Sequence, residues 1–355
     1  MLVSALALTV CLAVSATLFT RRVLRLVGLI RAGKPVDRSG EVGARVRSEA
    51  TIVLGQRKLL QRLGPGLTHA FIFWGFLVLA PTILMALIGA VDKHSTLPWL
   101  GHQGWFALLV DVFCVLVLGG VLSALWIRKV QRPRRFVGSH LREADVILAL
   151  IATIVTTLLL WHASRIALGI NDWPRSWSPV SQLLSHLFGH DGATRVLERS
   201  FVWAHVLTIL SFLVYLPYSK HLHIATAAFN VYFARTRARG RLEPLRFDDE
   251  DVPEDELRFG AGTAADLTWK EILDSFSCTE CGRCQDACPA FATGKLLSPK
   301  LVVMGVRDAV FSGDHESALV PGAVPEESVW DCVTCGACVQ ACPVNIEHID
   351  HIVDL

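Results

Sequence analysis

The sequence predicts a mainly α-helical protein, a five-helix transmembrane bundle followed by a soluble α-helical domain, and three observations predict it. Of 355 residues 52% are apolar and only 19% are charged, and the charges are crowded into a few stretches, the composition of a membrane protein with a soluble tail. Apolar runs long enough to cross a hydrocarbon core occur at about 2–20, 69–91, 105–127, 145–168 and 200–218. Beyond the last run lie eight of the ten cysteines, in two copies of one spacing.

The first run resembles a secretory leader, with Ala13-Val14-Ser15-Ala16 as a weak cleavage site. It lacks a basic segment before it and is followed by Arg21-Arg22, so a retained anchor is expected. The second run carries His69 at its start and Pro81 inside, where a kink is expected to open a cavity. The third carries Asp111, and the fourth His162 and Arg165. Asp111 and Arg165 both fall toward one end of the bundle, which predicts a structural ion pair. The sharper alternative makes Asp111 a proton donor or acceptor beside a quinone.

The fifth run is bracketed by His205 and His223. Eighteen residues at about 1.5 Å rise separate them by roughly 27 Å, nearly the hydrocarbon thickness, and amount to five turns, so both are expected on one face. Ionisable residues in spans are costly and usually functional. His186, His190, His140, His315, His348 and His351 read instead as capping or interfacial residues.

Orientation follows from the arginines and lysines. The stretch from Arg21 to Arg62 is densely basic, as is the one holding Arg128, Lys129, Arg132, Arg134, Arg135 and Arg142, so these two loops are expected to be cytoplasmic. The loops 92–104 and 171–199 carry few positive charges, and Trp99, Trp105, Trp173 and Trp177 sit where an interfacial belt places them. Five spans then leave the N-terminus outside the cell and the cysteines in the cytoplasm, with the bundle in the inner (plasma) membrane.

The cysteines are Cys278, Cys281, Cys284 and Cys288 before Pro289, and Cys332, Cys335, Cys338 and Cys342 before Pro343. This C-x2-C-x2-C-x3-C-P spacing, used twice, is that of bacterial two-cluster ferredoxins, in which the fourth cysteine of each run ligates the other cluster. Two [4Fe-4S] clusters are therefore expected, one on Cys278, Cys281, Cys284 and Cys342, the other on Cys332, Cys335, Cys338 and Cys288. Gly282, Gly336 and Ala337 leave the backbone room to close around a cubane. Structural zinc more often uses two separated C-x2-C pairs. A disulfide framework conflicts with the reducing compartment that such thiolates need.

A membrane half serving iron–sulfur clusters is most simply a b-type haem relay, which needs histidine pairs at matched depth. His69 and His223 pair at the cytoplasmic end. His205 has no partner on the second helix, where Leu87 and its neighbours are apolar, so His162 is taken as its partner, with His94 and His102 in the outer loop as alternatives.

The segment from His205 through Leu216-Pro217-Tyr218-Ser219-Lys220-His221-Leu222-His223 resembles the last helix of the respiratory nitrate reductase gamma subunit. The resemblance implies that His205 and His223 each ligate one of two haems, and that His69, within Thr68-His69-Ala70-Phe71, ligates the inner one. The family's other second-helix histidine corresponds to Leu79 here, a departure that leaves the outer haem without its usual ligand.

The tail, from Trp269 to Pro289, through Ser298-Pro299-Lys300 and on from Val329-Trp330-Asp331-Cys332 to Asp350, resembles the iron–sulfur segment of the heterodisulfide reductase D and glycerol-3-phosphate dehydrogenase C group. The fusion of the two is the layout of membrane-bound electron-transfer-flavoprotein:menaquinone oxidoreductases. It implies an oxidoreductase that takes electrons from reduced electron-transfer flavoprotein and gives them to menaquinone. That family continues into cysteine-rich CCG domains. No Cys-Cys-Gly occurs here and Leu355 ends what reads as a continuing amphipathic helix from Asn345, so those domains are expected in a longer chain or on another polypeptide.

The organisation expected is a haem-bearing bundle over 1–235, a charged linker over 236–264 and a ferredoxin-like domain over 265–355. Arg235, Arg237, Arg239 and Arg241 are expected at the membrane surface, and Asp248 to Glu256 as solvated spacer. The net charge of +2 argues against a nucleic-acid partner. No Rossmann glycine motif or P-loop is present. Two rival functions use the same parts: a quinol-oxidising subunit of a heterodisulfide reductase-like or sulfur-cycle complex, and a non-catalytic anchor that wires electrons to a separate dehydrogenase.

Overall fold

The computed structural model describes residues 1–238, 241–242 and 259–355. Among these every regular element is helical, apart from two isolated bridges. Five helices are long and apolar enough to cross a membrane: α1 (Leu2–Ala32), α2 (Leu63–Val91), α3 (Gly104–Gln131), α4 (Leu141–Leu168) and α5 (Gly192–Tyr218). They extend beyond the apolar runs. The runs mark the part that lipid would bury, while the flanking polar turns still complete their backbone hydrogen bonds.

The chain forms two compact units, the first of Met1–Arg22, Arg62–Arg132 and Arg142–Tyr218, the second of Val23–Gln61, Pro133–Leu141 and Ser219–Leu355. The second unit takes in Val23–Gln61 of the first basic stretch, Pro133–Leu141 of the second, and the chain from Ser219 on.

In the first unit, glycines set how closely helices approach. A Cβ on Gly75 of α2 would overlap Val117 of α3, and one on Gly120 of α3 would lie 3.1 Å from the Thr68 carbonyl. Gly89 of α2 makes room for Trp161 of α4 in the same way, and such small-residue seams are how helices without a hydrophobic drive between them gain contact. Met85, Val110, Val117, Leu158, Trp161 and Val206 belong to the apolar core. Pro81 sits within α2 without interrupting it. Arg22, on α1, donates to the Pro217 carbonyl at 3.2 Å and covers the Tyr218 ring at 4.9 Å.

The expectation that one helix carries both His205 and His223 is overturned. The α-helix ends at Tyr215, and two 3₁₀ turns, Leu216–Tyr218 and Lys220–Leu222, follow before α6 (His223–Tyr232) begins. Ser219, extended at φ −121°, caps the second of these turns by accepting from the His221 amide at 3.2 Å. The five-turn register between the histidines is lost there.

In the second unit α7 (Trp269–Ser277) starts from a capping box of Thr268 and Glu271, and α8 (Pro299–Ser312) from Ser298 with Pro299 in its first turn. Leu267, Ile272, Phe276, Val302, Val306 and Leu319 form its core, with Phe276 stacked on Phe311 at 4.9 Å. Arg235 pairs with Glu347 and Asp350 of this unit. Arg239 and the acidic stretch Asp248 to Glu256 lie outside the described residues. The last helix is His348–Asp354. It begins later than expected because Asn345 turns into the left-handed region at φ 58°.

Candidate functional site

The two cysteine motifs repeat one backbone path. Glu280 and Thr334, each the residue before the second cysteine, are left-handed at φ 56° and 50°, and Gly282 and Gly336, each after it, at 72° and 73°. At Gly282 the glycine is required, because a Cβ would overlap the Arg135 carbonyl. The turns aim amides at sulfur: Thr334 N–H donates to Cys332 Sγ and Ile346 N–H to Cys342 Sγ, both at 3.4 Å.

Folding brings the fourth cysteine of each motif to the other motif. One pocket is lined by Cys332, Cys335, Cys338 and Cys288, the only cysteines around it. Cys278 and Cys342 belong to another apolar group, with Val303 and Ile346. Burial pushes the Cys278 thiol up to about 11 and that of Cys342 to about 12, the second raised further by nearby Cys281. Cys338 is pushed to about 12, first by burial and also by Cys332, Cys288 and Cys335. Ligation needs thiolates, so these sites favour a strongly positive group that offsets the burial. Among the described residues no three His, Cys, Asp or Glu side chains converge tightly enough for a single ion. Four cysteines drawn from both motifs around one pocket match the crossed ligand set of a two-cluster domain.

Cations crowd the first thiol group. Lys58 donates to the Cys342 carbonyl at 2.9 Å and to Asn345 Oδ1 at 2.6 Å, and Arg283 donates to the Lys58 and Leu59 carbonyls. Lys300 is held by the Arg135 and Val137 carbonyls and by Ser139 Oγ. Glu280, within the first motif, accepts from Lys220 at 3.0 Å, from the His140 amide at 2.7 Å and from Arg307 at 3.0 Å. Burial alone would raise the Glu280 carboxyl, but the hydrogen bond from His140 and the charge of Lys220 bring it down to about 2. The sequence offered one signal for this hub, an acidic residue where the second motif has threonine.

The histidines divide between the units. His205 is 1% exposed. Its Nδ1 lies 2.8 Å from the Ile154 carbonyl and 3.1 Å from Thr157 Oγ1. A carbonyl only accepts, so Nδ1 carries the proton and Nε2 the lone pair, and that Nε2 is buried without a hydrogen-bond partner. His162 Nε2 is also buried and unpartnered. The ring lies 4.6 Å from that of Trp173 and lines a pocket with Met85, Trp161, Arg165 and Asp172. His205 is not in that lining. His69, half-buried on α2, stacks on Phe73 at 6.4 Å. His223, in the second unit, donates from Nδ1 to the Lys220 carbonyl at 2.9 Å. His94 and His102 are exposed.

The expected pairing of Asp111 with Arg165 is corrected. The Asp111 carboxylate accepts from the Val180 and Ser181 amides at 2.7 and 3.0 Å and from Ser181 Oγ at 2.6 Å. It caps the short helix Pro179–Ser185, whose first amides have no helical partner. Arg165 is held by Asp172 at 2.8 Å, by Glu198 at 3.6 Å and by two loop carbonyls. Both carboxylate oxygens of Asp111 are thus committed to this cap.

Residues 270–343 match the 4Fe-4S dicluster domain family. The whole chain is 28% identical over 401 residues to the "Probable iron-sulfur-binding oxidoreductase FadF" of Bacillus subtilis (strain 168), covering 55% of it. Over 93% of this chain and 50% of the relative it is 29% identical to the "EtfAB:quinone oxidoreductase" of Syntrophomonas wolfei. A 38% share is 35% identical to 24% of the "Probable membrane-anchored ferredoxin" of Chromohalobacter salexigens. The chain spans about half the length of the first two relatives. No solved structure matches it. The chain is thus a membrane-protein homologue of these iron–sulfur oxidoreductases, and residues 270–343 are its 4Fe-4S dicluster domain.

Proposed function

We propose that this chain is the membrane electron-transfer part of a quinone-reducing oxidoreductase, taking electrons from reduced electron-transfer flavoprotein and delivering them to menaquinone. The observation that carries the reading is the pocket shared by Cys288 and the three leading cysteines of the other motif. That crossing is what a two-cluster electron carrier requires. Two [4Fe-4S] clusters and b haems supply one-electron chemistry when bound, and the protein sets their spacing and surroundings. Cys278, Cys281, Cys284 and Cys342 hold one cluster, and Cys332, Cys335, Cys338 and Cys288 the other.

His205 offers a lone-pair nitrogen oriented from behind by Ile154 and Thr157, and His162 a second buried nitrogen, which supports them as ligands of the outer haem. The pairing of His69 with His223 at the inner haem rests on the sequence. Asp111 holds the loop helix of the bundle. Val23–Gln61 and Pro133–Leu141, parts of the two stretches that positive charge assigns to the cytoplasm, belong to the same unit as the cysteines, which supports a cytoplasmic dicluster domain in the inner membrane with the N-terminus outside. A CCG region, in cis or in trans, completes the enzyme. The likeness to a membrane-anchored ferredoxin favours a second reading, an anchor that wires electrons to a separate dehydrogenase.

Anaerobic stopped-flow of the detergent-purified protein in its longest native form, following b-haem absorbance, tests this. Rapid haem reduction by reduced flavoprotein, reversed by menaquinone, is the expected result. Haem reduction by menaquinol alone selects the quinol-oxidising rival, and protein without a haem band overturns the membrane half of the reading.

A further inference from the structure

Lys220 makes two different attachments. Its ammonium donates to Glu280 Oε2 at 3.0 Å and to the His140 carbonyl at 2.5 Å, and its own carbonyl accepts from His223 Nδ1 at 2.9 Å. Glu280 lies between Cys278 and Cys281, so its backbone is part of the loop that carries two thiols of the first group. The carboxylate also takes the His140 amide and ring and the Arg307 guanidinium, and the Glu280 carbonyl accepts from Ser139 Oγ at 3.0 Å. Four donors fill what a carboxylate can accept, which leaves it little freedom to turn.

The pair is deeply buried, with side-chain exposures of 6% for Lys220 and 1% for Glu280. A buried ion pair is a weak source of net stability, since desolvation of both ions offsets most of the attraction. What it supplies is geometry. Lys220 lies in the 3₁₀ turn between the end of α5 and His223, a place where the chain has no continuous helix to fix the imidazole.

We propose that the Lys220–Glu280 pair is a positioning link that ties the Cys278–Cys281 loop to His223, fixing how the imidazole is rotated and how far it stands from the first cluster. The link rests on the reading of His223 as a haem ligand. With a haem and a cluster bound, these would supply one-electron transfer, and the role of Lys220 and Glu280 would be to hold the spacing, neither residue gaining nor losing an electron or a proton. A hydrogen bond to the distal nitrogen of a ligating imidazole sets its rotation and its basicity. Here that acceptor is the carbonyl of the residue whose side chain grips the cluster loop, so the two cofactors would share one mechanical support.

The test uses the full-length protein in membranes, with Lys220→Met, Lys220→Arg, Glu280→Gln and Glu280→Asp. Electron paramagnetic resonance reads the low-spin haem and the reduced clusters, and flash photoreduction with deazaflavin reads the rate from cluster to haem. Lys220→Met and Glu280→Gln are expected to keep haem and cluster content while shifting or broadening the low-spin haem signal and slowing the transfer tenfold or more. Lys220→Arg is expected to restore most of both. An unchanged haem signal with an unchanged rate in Lys220→Met overturns the link. Should Lys220→Met or Glu280→Gln fail to assemble, Glu280→Asp retains the charge but withdraws it by one methylene, and a wild-type signal and rate there overturn the proposal equally. Failure of the underlying reading looks different, as wild-type protein without a b-haem spectrum or a His223→Ala variant with its haems undisturbed.

Discussion

Lys270 and Asp274 form an ion pair at 2.8 Å, one turn apart on α7, with side-chain exposures of 1% and 0%. Asn230 donates to the same carboxylate at 2.7 Å and the Glu347 amide at 3.3 Å. Burial acts to raise the Asp274 carboxyl, but Lys270 and His351 outweigh it and hold it well below its ordinary value of 3.8. A carboxyl lowered by folding adds stability above its unfolded pKa and loses that contribution as pH falls below it. Asp274→Asn strands a buried ammonium and should cost about 3–5 kcal/mol at neutral pH. Denaturant titration of both proteins should show the gap narrowing below the ordinary carboxylate range, and a gap that stays constant into acid rejects the assignment.

Cys288→Ser and Cys342→Ser should damage opposite clusters. The first removes a thiol from the pocket of Cys332, Cys335 and Cys338, and the second a thiol from the group of Cys278. Iron content and low-temperature magnetic resonance of the two variants should each show one intact cluster, and not the same one. Loss of the same signal from both variants contradicts the crossing.

Lys58, Lys220, Lys300, Arg283 and Arg307 all lie about the first thiol group, whereas the shared pocket of the second has no cation in its lining. Positive charge favours the reduced, more negative cluster, so the first should have the higher potential. Lys58→Met should lower it by an amount on the order of 50 mV, as expected for one charge at moderate distance in a partly screened site. Potentiometric titration that finds the other cluster shifted, or neither, refutes this.

The Asp111 cap makes a separate forecast. Asp111→Ala should destabilise the bundle by about 1–2 kcal/mol, the usual worth of a helix cap. The pH dependence of quinone reduction should keep its wild-type shape. A proton-relay role would show as a collapsed rate with a displaced pH profile in a bundle of normal stability.

The sequence alone determined the helical class, the five spans and the two cysteine motifs, because each follows from local quantities: apolar length, charge distribution and fixed spacing. The break after Tyr215 was less legible, since Pro217 and Ser219 sit within a stretch whose apolar character reads as continuous helix. Only the tertiary structure decided that Arg165 faces Asp172 and Glu198 while Asp111 caps Pro179–Ser185, because partners drawn from loops carry no periodic signal. It likewise decided that Val23–Gln61 and Pro133–Leu141 join the cysteine-bearing unit and that Glu280, Lys220 and His223 form one chain of contacts. The physical reason is that spacing along the chain is written in the sequence, whereas which distant charges become desolvated together depends on how the elements close around them.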